Sequence, residues 1–83
     1  QFYYHEIIGF EIFDQDGNNC GVIRSVNDQT AQVYFITNLD GKEVVIPMIK
    51  DWILDVDREE RTIKMELPEG LIDVFLVPSK KDE

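Results

Sequence analysis

Apolar and polar residues alternate along most of the chain, and turn-forming residues interrupt the alternation at short, regular intervals. A period of two is typical of strands with one buried face, and this spacing of turns is typical of a small antiparallel barrel or sandwich. The pattern therefore predicts an all-β domain of six strands, over residues 9–14, 21–26, 32–37, 42–46, 53–57 and 62–67.

Two of these segments carry further detail. Pro47 must end the fourth strand or place it at an edge of the sheet, because proline has no N–H group to donate to a neighbouring strand. In the sixth strand the alternation predicts three inward side chains, Ile63, Met65 and Leu67. The connection between the fourth and fifth strands, residues 48–52, has room for one helical turn.

The pattern changes after Pro68. Leu71, Val74 and Phe75 recur at the spacing of one helix face, which predicts a short helix over residues 69–76 that closes an open end of the barrel. An extended tail along an edge strand is the alternative. We expect residues 1–77 to form one domain and residues 78–83, which are polar and charged, to form a disordered tail.

Charge and composition restrict the classes of partner. The chain has 83 residues, with 17 Asp and Glu against eight Lys and Arg, which gives a net charge of −9. This charge repels phosphate and anionic lipid, so strong nucleic-acid or membrane binding is disfavoured and a basic protein partner is favoured. The chain has one cysteine and no apolar run long enough to cross a bilayer, which predicts a cytoplasmic protein. Because the chain begins at Gln1 without a methionine, we expect it to be part of a longer protein.

Four segments of the sequence together resemble a known family. They are residues 3–10, which begin Tyr3-Tyr4; residues 13–17 with the following Gly21; residues 40–51; and residues 66–73, which contain Leu67-Pro68-Glu69-Gly70-Leu71. In this order and spacing they resemble the C-terminal PRC-barrel domain of the ribosome maturation factor RimM. The barrel is also similar to stand-alone PRC proteins and to the cytoplasmic domain of the photosynthetic reaction-centre H subunit, an alternative that the first and last segments disfavour.

The resemblance implies a function in assembly and not in catalysis. RimM-like proteins support 16S rRNA processing and 30S maturation. They bind free 30S particles, and not finished 70S ribosomes, through the basic small-subunit ribosomal protein nineteen of the 30S head. The resemblance implies a longer protein with an N-terminal barrel domain, which we expect to lie outside these 83 residues. The family's paired tyrosines, which lie at the domain junction and are linked to 30S association, match Tyr3 and Tyr4.

Apolar residues exceed what one small core can absorb. If Val44 and Ile46 point inward, Val45 points outward. In the third strand, Tyr34 and Ile36 face the side opposite to Val33 and Phe35. An exposed apolar area beside charges is typical of a protein contact site, so Tyr34, Ile36 and Val45 are candidate partner-binding residues. Weak self-association of the isolated chain through the same exposed apolar area is a further alternative. Another is that the C-terminal segment folds over this area.

Three aromatic residues complete the candidate partner-binding set. Tyr3 and Tyr4 would face opposite sides of an extended segment, so one could pack while the other binds; alternatively, both pack between domains. Trp52 is a candidate contact anchor, although a lone tryptophan more often fills a barrel end.

Other polar groups give no strong sign of chemistry. Asp14 and Asp16 begin a loop similar to a calcium loop, but Ser25 stands where the loop needs a bidentate glutamate. Asp55 and Asp57 share a strand face, which is the minimum for acid–base catalysis but is more simply a solvated rim. Cys20 has no histidine at motif spacing. We therefore expect no catalytic residue, no metal site and no cofactor.

Overall fold

The computed structural model describes residues 4–76, except for the side chains of Tyr4 and Leu76. Six strands form one sheet, which confirms the predicted all-β class and the number of strands. The predicted domain end at residue 77 and the tail 78–83 lie outside the described residues. In chain order the elements are a 3-10 helix at Tyr4–Ile7, β1 (Glu11–Phe13), β2 (Asn19–Asn27), β3 (Tyr34–Leu39), β4 (Lys42–Pro47), a 3-10 helix at Lys50–Trp52, β5 (Ile53–Asp57), β6 (Thr62–Met65) and α1 (Asp73–Leu76).

The strands lie in the order β4-β3-β2-β1-β6-β5. Four of the five pairings are antiparallel, as predicted, but β1 and β6 pair in parallel. This corrects the expectation of a purely antiparallel sheet. The reason is that β1 and β6 are distant in the chain, and a parallel pair needs a long crossover that alternation within either strand does not reveal. Within residues 4–76 the two edge strands, β4 and β5, do not pair with each other.

The hairpin between β3 and β4 follows from local sequence. Leu39 pairs with Lys42, so only Asp40 and Gly41 connect the strands. Both have positive φ, 54° and 83°, which is the conformation of a type I′ turn and suits an Asp-Gly pair. The hairpin ends at Pro47, the last residue of β4, and β4 is an edge strand, as the missing N–H of proline requires.

The third strand begins and ends two residues later than predicted. Residues 28–33 form a loop stabilised by local hydrogen bonds: the side chain of Asn27 accepts from the N–H of Gln29, and the hydroxyl of Thr30 donates to the carbonyl of Gln32. Such side-chain bonds compete with strand pairing, and they favour a loop here despite the strand-forming Val33.

A close approach between β2 and β3 explains Gly21. Two residues of β2, Cys20 and Gly21, lie opposite one residue of β1, which makes a β-bulge. Gly21 has φ of +107°, and a Cβ there would lie 2.7 Å from the carbonyl oxygen of Asn38 and 2.8 Å from Oγ1 of Thr37. The hydroxyl of Thr37 donates to the carbonyl of Cys20 at 2.9 Å. The bulge bends β2, which helps the sheet to coil around the core.

The buried side chains of the strands form one core cluster on one side of the sheet. The predicted inward residues of the sixth strand, Ile63, Met65 and Leu67, are all buried, although β6 ends at Met65. Trp52, Leu71, Ile72 and Phe75 pack against the edge of this core. The other buried apolar residues are Ile7, Phe10, Ile12, Cys20, Ile23, Phe35, Val44 and Ile46.

The segment after Pro68 ends in a helix, α1, and not in an extended tail. This helix is a single turn that packs beside β4. It is shorter than the predicted residues 69–76 because 69–72 form turns. Within residues 4–76 no helix is long and apolar enough to cross a membrane.

Candidate functional site

The two faces of the β3–β4 hairpin differ in burial. Phe35 and Thr37 of β3 and Val44 and Ile46 of β4 are buried in the core. The residues that alternate with them point to the opposite side, which we call the outer face of the sheet. Leu71, Ile72 and Phe75 of the C-terminal segment pack against the buried core. They therefore do not cover the outer face.

Four apolar residues meet on the outer face. Ile36 lies opposite Val45, and Tyr34 lies opposite Pro47 in the antiparallel pairing of β3 with β4. All four are partly exposed, and none is among the residues that pack against the buried core. We call Tyr34, Ile36, Val45 and Pro47 the outer patch. The structure thus brings together three of the candidates chosen from sequence and adds Pro47.

A row of polar and acidic residues lies beside the outer patch. The pairings of neighbouring strands align six residues across the whole sheet, in the order Glu43, Asn38, Val22, Glu11, Thr62, Asp57. Asn38 lies two residues after Ile36 on β3, and Glu43 lies two residues before Val45 on β4. The row, which we call the carboxylate row, contains three acidic side chains and no basic one. The sequence alone did not reveal it, because it depends on the register of five pairings.

Trp52 does not belong to the outer patch. Trp52 ends a 3-10 helix and packs against the buried core. Its carbonyl accepts a hydrogen bond from the N–H of Glu66 at 2.7 Å, which fixes the start of β5 beside β6. Trp52 is thus a half-buried residue packed on the core. Of the two tyrosine candidates at the start of the chain, Tyr3 and the side chain of Tyr4 lie outside the described residues.

The acidic candidates lie in turns and on the outer face. Oδ1 of Asp14 accepts from the N–H groups of Asp16 and Asn18 at 2.9 and 2.8 Å, so this carboxylate stabilises its own loop. Asp55 and Asp57 share the outer face, where their partners in β6 are Lys64 and Thr62. Among the described side chains, no group of three or more His, Cys, Asp or Glu residues stands close enough to hold a metal ion.

Cys20 is a buried thiol in the bulge of β2. Burial raises its pKa from 9.0 to about 11, and the negative charge of Asp14 adds to this rise. The thiol donates to the carbonyl of Asn18 at 3.6 Å. A thiol with a pKa this high holds its proton at neutral pH, which is the opposite of what a nucleophile requires.

Sequence reasoning missed some exposed apolar residues. Leu54 is 48% exposed and Val74 is 71% exposed, and Ile8 is also exposed. Leu54 is the extra residue of a bulge in β5, since Ile53 pairs with Met65 and Asp55 with Lys64. They lie on three different elements.

A shallow acidic cleft of about 340 Å³ lies between the β1–β2 loop and the segment after β6. Asp14, Asp16, Glu69 and Asp73 contribute carboxylates to its lining. The carboxylate of Asp14 already accepts hydrogen bonds from its own loop. The outer face therefore combines apolar area with unpaired carboxylates better than this cleft does.

Comparison with known families decides the identity of the domain. The family model of the RimM PRC barrel domain matches residues 4–71, which is most of the chain and includes every strand. The chain belongs to the RimM PRC-barrel family. This confirms the resemblance carried by the four sequence segments.

Curated relatives agree with this assignment. The chain is 45% identical to the ribosome maturation factor RimM of Christiangramia forsetii over 76 residues, which is 92% of this chain and 43% of that protein. It is 46% identical to that of Flavobacterium psychrophilum, over 92% of this chain and 44% of the relative. It is 36% identical to that of Bacillus subtilis, over 88% of this chain and 42% of that protein. The chain thus spans less than half the length of these relatives.

A solved structure has the same fold. The crystal structure of a 16S ribosomal RNA processing protein RimM from Pseudomonas aeruginosa superposes with a TM-score of 0.71, over 81% of this chain and 44% of that one. The identity is 21%, so this likeness supports the fold alone.

Proposed function

We propose that this chain is the ribosome-docking domain of a RimM-type maturation factor. In this proposal it binds the 30S subunit in the cytoplasm through a basic small-subunit ribosomal protein, protein nineteen of the head. It thereby supports 16S rRNA processing and 30S maturation. It acts by binding, without a cofactor or a catalytic step. The names of the relatives, ribosome maturation factors, support this class of function.

The observation that carries the proposal is the outer patch beside the carboxylate row. The patch offers a tyrosine and three further apolar residues on one sheet face, and the row places Glu43 directly next to it. Apolar contacts of this kind hold a complex, whereas acidic groups on the rim speed the encounter with a basic partner. The net charge of −9 acts in the same direction.

The proposed partner-binding residues have separate roles. Tyr34, Ile36 and Val45 form the contact area on the outer face. We propose Tyr3 and Tyr4 as further partner-binding residues, with packing at the junction with another domain as the alternative. Trp52 contributes by holding the end of the barrel, since it packs against the core. We expect bare 16S rRNA to bind weakly, because its phosphates are repelled by the acidic surface.

Replacement of the apolar contacts tests this proposal. The double variant I36S/V45S removes two aliphatic side chains from the outer patch, and the control L54S/V74S removes two that are more exposed and lie on β5 and α1. Binding to isolated protein nineteen is measured by calorimetry, and folding by thermal denaturation. We expect I36S/V45S to bind about tenfold more weakly or worse, and the control to bind as the original does. Equal binding by both folded variants would contradict the proposal.

A further inference from the structure

We propose that the partner lies across strands β4, β3, β2 and β1 as an extended basic segment. It places two cationic side chains at Glu43 and Glu11, and an apolar side chain between them at Val22, beside the outer patch. This inference rests on the proposed docking function and goes further, because it assigns the direction of the bound segment and the chemistry at its two charged positions.

The register of the sheet fixes the two charged positions. Glu43 pairs with Asn38, Asn38 with Val22, and Val22 with Glu11, so the two glutamates are three strands apart in one row. Neighbouring strands are about 4.8 Å apart, which separates the glutamates by about 14 Å. An extended chain covers this distance in about four residues. Side chains four residues apart in an extended segment point to the same side, and the residue midway between them points there too.

Neither glutamate is paired with a described cationic side chain, although the exposed Arg24 follows Val22 by two residues on β2. Oε2 of Glu11 accepts a hydrogen bond from Nδ2 of Asn19 at 3.0 Å, which is a neutral partner. Neither Glu11 nor Glu43 forms an ion pair with another described side chain. Both are at the surface, and Glu43 is exposed. A cation at either position would therefore gain attraction without first displacing another cation.

The midway position lies over Asn38 and Val22, which stand between Glu43 and Glu11 in the row. Ile36 and Val45 are each two residues along their strands from Asn38 and Glu43, on the same face. An aliphatic side chain at this position would pack on the half-buried Val22 beside the outer patch and remove apolar surface from water. The face thus matches a segment with an apolar residue between two basic ones.

Charge distinguishes this occupant from two others. A second copy of the chain would bring its own Glu11 and Glu43 against acidic side chains of the same row, and like charges across an interface are costly. RNA would bring phosphates to the same carboxylates. A basic protein segment is the occupant whose charge complements both glutamates.

Neutralising the two glutamates without changing their shape tests the inference. The variant E11Q/E43Q retains the acceptor for Asn19 and removes two negative charges, and the control E59Q/E60Q removes two from the exposed β5–β6 turn. The affinity of the full 83-residue chain for isolated protein nineteen is measured at about 50 mM and about 300 mM salt. We expect E11Q/E43Q to bind about three- to tenfold more weakly at low salt, with a smaller loss at high salt, and E59Q/E60Q to stay within about twofold.

Each other outcome has a distinct meaning. Equal losses for the two variants would show an effect of net charge alone and would overturn the inference. Binding that depends on Ile36 and Val45 but not on Glu11 and Glu43 would also overturn it while leaving the docking function intact. Absence of any binding by the unaltered chain would overturn both. Dimerisation through the outer face, or tight binding of 16S rRNA fragments that I36S/V45S weakens, would overturn the inference and assign the face to another occupant.

Discussion

The side-chain amide of Gln15 forms two hydrogen bonds with the backbone of Leu67. Nε2 of Gln15 donates to the Leu67 carbonyl at 3.0 Å, and Oε1 accepts from the Leu67 N–H at 2.9 Å. The amide thus pairs with the chain directly after β6 as a neighbouring strand would. It links the β1–β2 loop to the segment that leads into α1, two parts of the chain that are 52 residues apart.

The first prediction concerns this link. Gln15→Leu keeps much of the side-chain volume but leaves the N–H and carbonyl of Leu67 without their partners. We expect the free energy of unfolding to fall by about 1 to 2 kcal/mol, measured by urea denaturation. Gln29→Leu is the control, because Gln29 is exposed and uses only its backbone N–H in a described hydrogen bond. A loss no larger than that of the control would show that Gln15 contributes little to stability.

The second prediction compares two glycines with positive φ. Gly21→Ala puts a Cβ within 3 Å of backbone and side-chain atoms of β3, whereas Gly17→Ala puts one in open space at φ of +85°. We expect Gly21→Ala to reduce the free energy of unfolding by about 2 to 4 kcal/mol, because strain and steric overlap combine. Gly17→Ala carries only the backbone strain of about 1 kcal/mol. Similar losses in thermal or urea unfolding would mean that β2 and β3 can separate at this point without cost.

The third prediction concerns alkaline pH. The pKa of Cys20 is raised from 9.0 to about 11 in the folded chain. Below pH 9 the thiol is protonated in both states and contributes no pH dependence. Between pH 9 and 11 the unfolded chain loses the proton while the folded chain keeps it, so stability falls as pH rises. The two-unit difference corresponds to about 2 to 3 kcal/mol.

Cys20→Ala separates this effect from other groups that titrate at high pH. We expect the stability of the original chain to fall more steeply between pH 9 and 11 than that of C20A, measured by denaturant unfolding at each pH. Parallel pH profiles for the two proteins would contradict the raised pKa.

Much of the fold follows from local sequence. The bounds of β5 match the predicted residues 53–57, and the Asp40-Gly41 turn and the end of β4 at Pro47 follow from single residues with strict backbone preferences. Inward and outward residues also follow from alternation wherever a strand is regular. These features depend only on residues that are close in the chain, so they can be predicted from the sequence.

The features that sequence did not reveal depend on distant residues. The parallel pairing of β1 with β6 joins strands from opposite ends of the chain. The bulge at Leu54 moves one side chain out of the alternation, so Leu54 and Asp55 both face away from the core. The carboxylate row likewise exists only once five pairings are in register. Of the candidate site, alternation predicted Tyr34, Ile36 and Val45, but not the glutamates beside them.

A methyl NMR titration of this chain with unlabelled protein nineteen shows which face of the sheet the partner contacts. Ile36 and Val45 report on the outer patch, while Leu54 and Val74 report on exposed apolar sites elsewhere. We expect the methyl signals of Ile36 and Val45 to shift most as the partner is added. If the largest shifts instead occur at Leu54, at Val74 or beside the acidic cleft, with Ile36 and Val45 unchanged, the outer face is not the docking surface.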